Sequence, residues 1–337
     1  MSVFPHHQQR ITPSDPLLPS SATPSDRPSV RVDSQTHLTP VNPDRPAPTA
    51  PEGMALPQGR HPSSERGSRQ AERHYSQLQV EALSERLTGR DQAILSSLQL
   101  HRFLTTAQLQ RFHFLDHDTP AAAARACRRT LQRLEGLQVV QHLVRRIGGV
   151  RAGSASYVWQ LGLLGDRLLR LHDDGRPRAR RKEPGLRSLR HRLGVADTHL
   201  ALLPERPGDP ELLLVETEPD SWRHYRAPSG ERSVLKPDLY AVTAAGDYED
   251  HWWFEIDLGT ESLPTQLDKC RVYTNLQRSG QADQLLGLMP RVVWVMSAEH
   301  HADRLAAAIA RARDLPAELF RICSLPGLRG IIRGGAA

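Results

Sequence analysis

Three carboxylates, Asp238, Glu255 and Asp257, lie in one short stretch, KPDLYAVTAAGDYEDHWWFEIDLGTES (residues 236–262). Two apolar runs flank Gly246-Asp247, which is the pattern of a two-residue hairpin turn. Pairing about that turn sets Asp238 opposite Glu255. Strand alternation puts Asp257 on the same face and turns Trp252, Phe254, Ile256 and Leu258 to the other. Opposed Cβ atoms lie about 5 Å apart, and like charges there repel. Such a group needs a cation, a raised pKa or open water. Oxygen ligands beside a phosphate suit Mg²⁺ or Mn²⁺, and the matching chemistry is metal-dependent phosphodiester hydrolysis. A solvated sheet edge is the plainer alternative.

The helix expected next adds to the group. Gln266, Lys269 and Tyr273 fall within about 60° of arc at the helical repeat, so one face carries an amide, an ammonium and a phenol. That face either lies against the carboxylates, tracks a phosphate, or meets solvent while Tyr273 packs its ring. Lys236 shares the face of Asp238 but stands a residue pair away. Glu261 is a further acid within reach of the same group. On the helix preceding the sheet, His191, Asp197 and His199 read most simply as capping or solvent-facing residues.

These residues need a sheet to position them. Helix LRSLRHRLGVADTHLALL, strand ELLLVETEP, the hairpin SVLKPDLYAVTA/HWWFEIDLG, helix LPTQLDKCRVYTNLQRSG, strand RVVWVMS, helix HADRLAAAIARAR and strand LFRICSL follow in order. This αβββαβα pattern with a final strand predicts a mixed sheet with helices on its faces.

Upstream, a helix is expected within residues 68–86, then one over Arg90–Leu100 with Ile94, Leu95 and Leu98 on one face. The next is capped by Thr105 or Thr106 and buries Leu109, Phe112 and Phe114. A third, from Thr119 to about Glu135, has Pro120 in its first turn. Its apolar stripe is Cys127, Leu131 and Leu134, and Arg125, Arg128, Arg129 and Arg133 occupy the opposite half. Two strand-like runs then flank a Gly-rich loop with Arg145, Arg146 and Arg151. Three helices and a basic hairpin predict a winged helix whose third helix enters the major groove while the wing touches phosphate. A winged helix used for protein contacts is the alternative.

Composition sets the wider frame. Of 26 prolines, 13 precede Arg66, in a stretch without helical or strand period, so residues 1–67 are expected to be a disordered tail. The tail lacks the pattern of a secretory signal. No apolar run is long enough to span a membrane. Three scattered cysteines make neither a disulfide framework nor a zinc spacing, and a cytoplasmic location is expected. The net charge is +6, yet residues 167–192 alone carry ten Lys/Arg against three acids. That block is either an electrostatic footprint for phosphate or a solvated linker. The expected layout is a tail (1–67), a winged-helix DNA-binding domain (68–165), a basic linker (166–185) and an α/β domain (186–330).

The motifs KPD and FEIDLGTES, in this hairpin-and-helix setting, resemble the PD-(D/E)xK, restriction-endonuclease-like fold. With the winged helix in front, residues 86–325 resemble the replication-relaxation family of plasmids and mobile elements. The nuclease pattern implies that Asp238 bridges a Mg²⁺ or Mn²⁺ ion, with Glu255 and the Ile256 carbonyl as further ligands. It calls for a lysine where this sequence has Asp257. Lys269 from the helix then supplies the ammonium, or Asp257 and Glu261 join the metal ligands; nuclease folds often carry an acid on the helix before the sheet, which makes Asp197 a candidate extra ligand. The resemblance implies duplex DNA and plasmid replication or mobilisation proteins as partners, with a homodimer as one assembly. Three readings follow: a DNA-binding protein of plasmid replication or mobilisation, an active Mg²⁺-dependent endonuclease, and a transcription regulator. A rolling-circle relaxase needs a His-hydrophobe-His clamp, which neither His6-His7 nor His300-His301 provides.

Overall fold

The computed structural model describes residues 9–10, 75–144, 156–171, 184–227 and 229–335. After a two-residue strand β1 (Gln9–Arg10) come α1 (Gln77–Ser84), α2 (Gly89–His101), β2 (Leu104–Thr105), α3 (Thr106–His113), α4 (Pro120–Gly136), β3 (Val140–His142), β4 (Val158–Leu161) and α5 (Leu163–Arg170). The second half runs α6 (Leu186–Leu202), β5 (Glu211–Thr217), β6 (Arg223–Arg226), β7 (Arg232–Leu235), β8 (Leu239–Ala245) and β9 (Tyr248–Asp257). It ends with α7 (Leu263–Arg278), α8 (Gln281–Leu286), β10 (Arg291–Met296), α9 (Glu299–Arg311), β11 (Phe320–Ser324) and α10 (Leu328–Arg333).

The early helices start where a hydroxyl can satisfy an orphan amide. Thr88, Thr105 and Thr119 accept from the amides of Asp91, Gln108 and Ala122. Asp91 and Gln108 reach back to close capping boxes. Pro120 opens α4, which buries Ala123, Cys127, Leu131 and Leu134. Strand β4 pairs antiparallel with both β2 and β3. The order is helix–strand–helix–helix–strand–strand, with Leu109, Leu131, Leu134, Val140 and Trp159 in one core.

The main sheet has the order β11-β10-β9-β8-β5. Strands β5, β8 and β9 form an antiparallel meander, and β9, β10 and β11 run parallel. Gly246 takes φ +60° at the β8–β9 turn, a conformation that favours glycine. The hairpin register is the expected one, with Leu239 opposite Phe254 and Ala245 opposite Tyr248. Helices α7 and α9 pack on the face of Trp253 and Trp294. Helices α6 and α10 pack on the face of Trp252, Phe254 and Ile256. A Cβ on Gly194 of α6 would lie 3.3 Å from Ile256 Cγ2 and 3.4 Å from Leu258, so the glycine lets α6 approach β9 closely.

The helical half and the sheet half meet along α6. Phe103, Leu143 and Val158 share a core with Leu189 and Leu193. Gln108 Nε2 donates to Leu193 O and Asp197 Oδ1, both at 2.9 Å, and Thr217 Oγ1 donates to Leu100 O at 2.7 Å.

Several expectations change. Position 165, expected to end the first domain, lies inside α5, where Leu164 and Leu168 are buried. Arg167 and Arg170 register as charge and hide the helical stripe. The stretch SVLKPDLYAVTA is two strands broken at Lys236-Pro237-Asp238, and β7 pairs with β6 instead. Of the tail, Gln9–Arg10 pair with Glu249 and Tyr248 of β9, and backbone pairing of this kind needs no apolar side chain. The rest of residues 1–67, most of the basic linker and the wing residues Arg145, Arg146 and Arg151 lie outside the described residues.

Candidate functional site

Asp238 enters the sheet just after the Lys236-Pro237 break. The buried Ser221 hydroxyl donates to Pro237 O at 2.7 Å and fixes the bend. Asp238 N donates to Phe254 O at 3.0 Å, and its Oδ2 accepts from Ile256 N at 2.7 Å. The side chain thus serves as the acceptor that the next strand residue would have offered. Pro237, just before Asp238, has no N–H to give to β9. Asp238 Oδ1 meets His191 Nε2 at 2.9 Å. That hydrogen bond, stronger than the opposing effect of burial, raises the His191 pKa above its ordinary value.

Glu255 is 3% exposed and fully engaged. Tyr273 OH donates to Oε1 at 2.6 Å, and Lys269 Nζ donates to Oε2 at 2.9 Å. Burial first, and then the charge of Asp238, push the Glu255 carboxyl up to about 7, against the pull of Lys269. Burial and the neighbouring Glu255 also raise the Tyr273 phenol well above its usual range, so it stays a donor. Lys269 bridges to Glu261 Oε1 at 2.8 Å and lies 5.7 Å from the centre of the Trp294 ring. Burial works against its ammonium, but Glu255 and Glu261 hold its pKa above the ordinary value.

Gln266, Lys269 and Tyr273 all point at the carboxylates: Gln266 Nε2 donates to Asp257 Oδ2 at 2.6 Å, and the other two serve Glu255. Ser262 caps this helix by accepting from Thr265 N, with Pro264 in the first turn.

Asp257, expected as a further ligand, is turned elsewhere. Its Oδ1 accepts from the amides of Thr260 at 2.8 Å and Glu261 at 3.3 Å, so it stabilises the loop that launches α7. Strand alternation sets its face correctly but does not foresee the chain folding back over it. Among the described residues, no group of three or more His, Cys, Asp or Glu side chains is arranged to hold a metal ion. What does converge is the Asp238–Glu255 pair, with the charge of Asp238 acting on the Glu255 carboxyl and Ile256 N held by Asp238 Oδ2.

The other candidates fall apart from this centre. Lys236 lies over the Trp222 ring at 4.6 Å, and Asp197 is held by Gln108 while burial raises its pKa. His199 Nδ1 meets His101 Nε2 at 2.9 Å, and burial lowers these two imidazoles to about 4 and about 3 respectively. His191 is the partner that sequence reasoning missed. Its signal was Gly194, one turn on, which marks the face of α6 that lies against the sheet. A small open cleft lies beside Asp238 and His191, lined also by Leu100, His101, Arg192 and Glu218.

On α4, Arg125, Arg128 and Arg129 are exposed and face away from the Cys127/Leu131/Leu134 stripe. Arg133, grouped with them on the helical wheel, is instead paired at 2.5 Å with the buried Asp91 of α2. A wheel shows which way a side chain points but not what stands in front of it.

No helix of the described residues is long and apolar enough to cross a membrane. No curated protein and no solved structure matches the chain. The family model for replication-relaxation matches residues 95–292, more than half the sequence and a span that takes in α4, α6, the carboxylate hairpin and Lys269. The chain therefore belongs to the replication-relaxation family.

Proposed function

We propose that the protein binds duplex DNA in plasmid or mobile-element replication or mobilisation, through a winged helix joined to a PD-(D/E)xK-like α/β domain. The helix–strand–helix–helix–strand–strand order and the exposed arginines of α4 support the first part. The run α6-β5-β8-β9-α7-β10, with Asp238 just before β8 and Glu255 on the neighbouring β9, supports the second. The observation that carries the reading is the Lys269 ammonium, brought to the buried Glu255 by α7. It offers the cation that the strand position of Asp257 does not.

The same observation favours a second reading, an active endonuclease. A Mg²⁺ or Mn²⁺ ion would be held by Asp238, Glu255 and the Ile256 carbonyl, and would supply an activated water and relief of phosphate charge. Around it, Tyr273 and Lys269 would fix the Glu255 carboxylate, and His191 would orient Asp238. A transcription regulator is the remaining alternative, and it gives no reason for two buried acids brought together at the start of the β8–β9 hairpin.

The test combines fluorescence anisotropy on duplex DNA with incubation of supercoiled plasmid in Mg²⁺ or Mn²⁺. Salt-dependent binding without nicking supports the binding module. Nicking that Lys269→Ala abolishes supports the endonuclease. Absence of DNA binding overturns both.

A further inference from the structure

The insertion between β5 and β8 is a two-stranded ribbon, β6–β7, whose two faces differ sharply. The inner face is anchored. Leu235 and Tyr225 pack into the core beside Tyr240, and Arg223 pairs with Glu216 while its guanidinium lies 4.7 Å from the centre of the Tyr240 ring. At the ribbon's far end, Arg226 N donates to Gln281 Oε1 at 2.8 Å, and Gln281 Nε2 returns a bond to Arg226 O at 2.7 Å. The ribbon is thus held rigidly from below and at its tip.

The outer face is cationic. His224, Arg226, Arg232 and Lys236 are all exposed, and none is paired with a carboxylate among the described residues. Arg226 stands directly opposite Arg232 in the antiparallel register. Like charges so placed repel, and only an anion or open water relieves them. Residues 223–236 carry four Lys/Arg against one acid, Glu231. The strand then leads from Lys236 through Pro237 into Asp238, so the cationic face ends at the carboxylate pair. From Arg232 to Asp238 is six residues, roughly 20 Å of extended chain, comparable to about six base pairs of duplex along one strand.

The geometry points to the β6–β7 ribbon as a second DNA contact, one that holds the phosphate backbone of duplex DNA leading to Asp238 and Glu255 and is separate from α4. The inference rests on the proposed DNA-binding function and adds to it a surface and a direction of approach. An anchored ribbon with cations on one face loses little side-chain freedom on binding beyond that of the arginines themselves. Contacts of this kind position the duplex without reading its sequence.

Anisotropy titrations of the full chain on one duplex, across a salt series, test it with three proteins: wild type, Arg226→Gln/Arg232→Gln, and Arg125→Gln/Arg129→Gln. Each phosphate contact contributes about −0.9 to the slope of log K against log salt. The ribbon variant is expected to lose about 1.8 of that slope and bind at least tenfold more weakly at low salt, for every duplex sequence alike. Its melting temperature should change little, because both arginines are exposed and the one side-chain bond lost, from Arg226 to Gly230 O at 3.1 Å, lies at the exposed ribbon turn. A Lys236→Gln variant should lose about half as much slope. If the α4 variant is weakened and the ribbon variants match wild type, the ribbon inference is overturned while DNA binding stands. If wild type fails to bind duplex at all, both fall. Loss confined to binding of vesicles rich in phosphatidylserine, with DNA affinity unchanged, would assign the ribbon to a lipid surface and overturn the proposal.

Discussion

Lys269 Nζ lies 2.9 Å from Glu255 Oε2, although one residue is on a helix and the other inside a sheet. The same ammonium reaches Glu261 at the mouth of the site. One cation thus stands between a buried acid and a partly exposed one, and Asp238 adds a second negative charge to Glu255. The arrangement couples protonation at this centre to stability.

Lys269→Ala should therefore cost little at pH 5 and more at pH 8. Burial and Asp238 push the Glu255 carboxyl up to about 7 in the folded protein, above its unfolded value, so at pH 5 it holds its proton and needs no ammonium. Without the ammonium, which pulls the Glu255 pKa down, the carboxyl is pushed higher still, so at pH 8 the variant must either hold a proton there or bury an unpaired carboxylate. Breaking a buried pair costs several kcal/mol, and the exposure of Lys269 reduces this to about 1–3 kcal/mol at pH 8. Denaturant melts at the two pH values measure it; an equal loss at both would refute the coupling.

His191 should titrate above its ordinary pKa, because Asp238 Oδ1 stabilises the imidazolium. Its folded value is raised, so the stabilisation is fully present below the unfolded value near 6.5 and is lost as pH rises through the folded one. Heteronuclear NMR of the ring should show the raised pKa, and Asp238→Asn should return it towards or below 6.5. An unchanged titration in that variant would remove Asp238 as the cause.

Arg133→Ala and the double variant Arg125→Ala/Arg129→Ala should separate stability from binding. Asp91 is completely buried and also accepts from Thr88 N, so removing Arg133 leaves a buried carboxylate short of a partner. A loss of about 1–3 kcal/mol is expected in thermal or denaturant melts. The double variant should melt like wild type and bind duplex DNA more weakly. The reverse pattern would mean that Arg133, not its neighbours, faces the DNA.

Mn²⁺ or Mg²⁺ at millimolar concentration should raise the melting temperature by binding the folded state, and chelation should reverse the rise. Asp238→Asn should abolish most of the response, whereas Asp257→Asn should leave it nearly intact, because the Asp257 carboxylate is engaged by Thr260, Glu261 and Gln266. Equal loss in both variants would return Asp257 to the ligand set. No response in wild type would remove the metal site.

Much of this centre was legible in the sequence, because it depends on local rules. The Gly246-Asp247 turn determined the register, and alternation determined which faces carry Glu255 and Trp252. The helical repeat aligned Gln266, Lys269 and Tyr273, and the threonine caps marked where the early helices begin. Only the tertiary structure decided the partners. That Lys269 rather than Lys236 serves Glu255 depends on how α7 crosses the sheet, and Trp222 claims the alternative lysine. Asp257 turns to its own loop, Arg133 meets Asp91, and His191 reaches Asp238 because α6 presses onto β9 at Gly194. Periodicity sets the direction in which a side chain leaves the backbone. What it meets is set by the packing of elements distant in the chain, where contact distances of about 3 Å decide between a ligand, an ion pair and a cap.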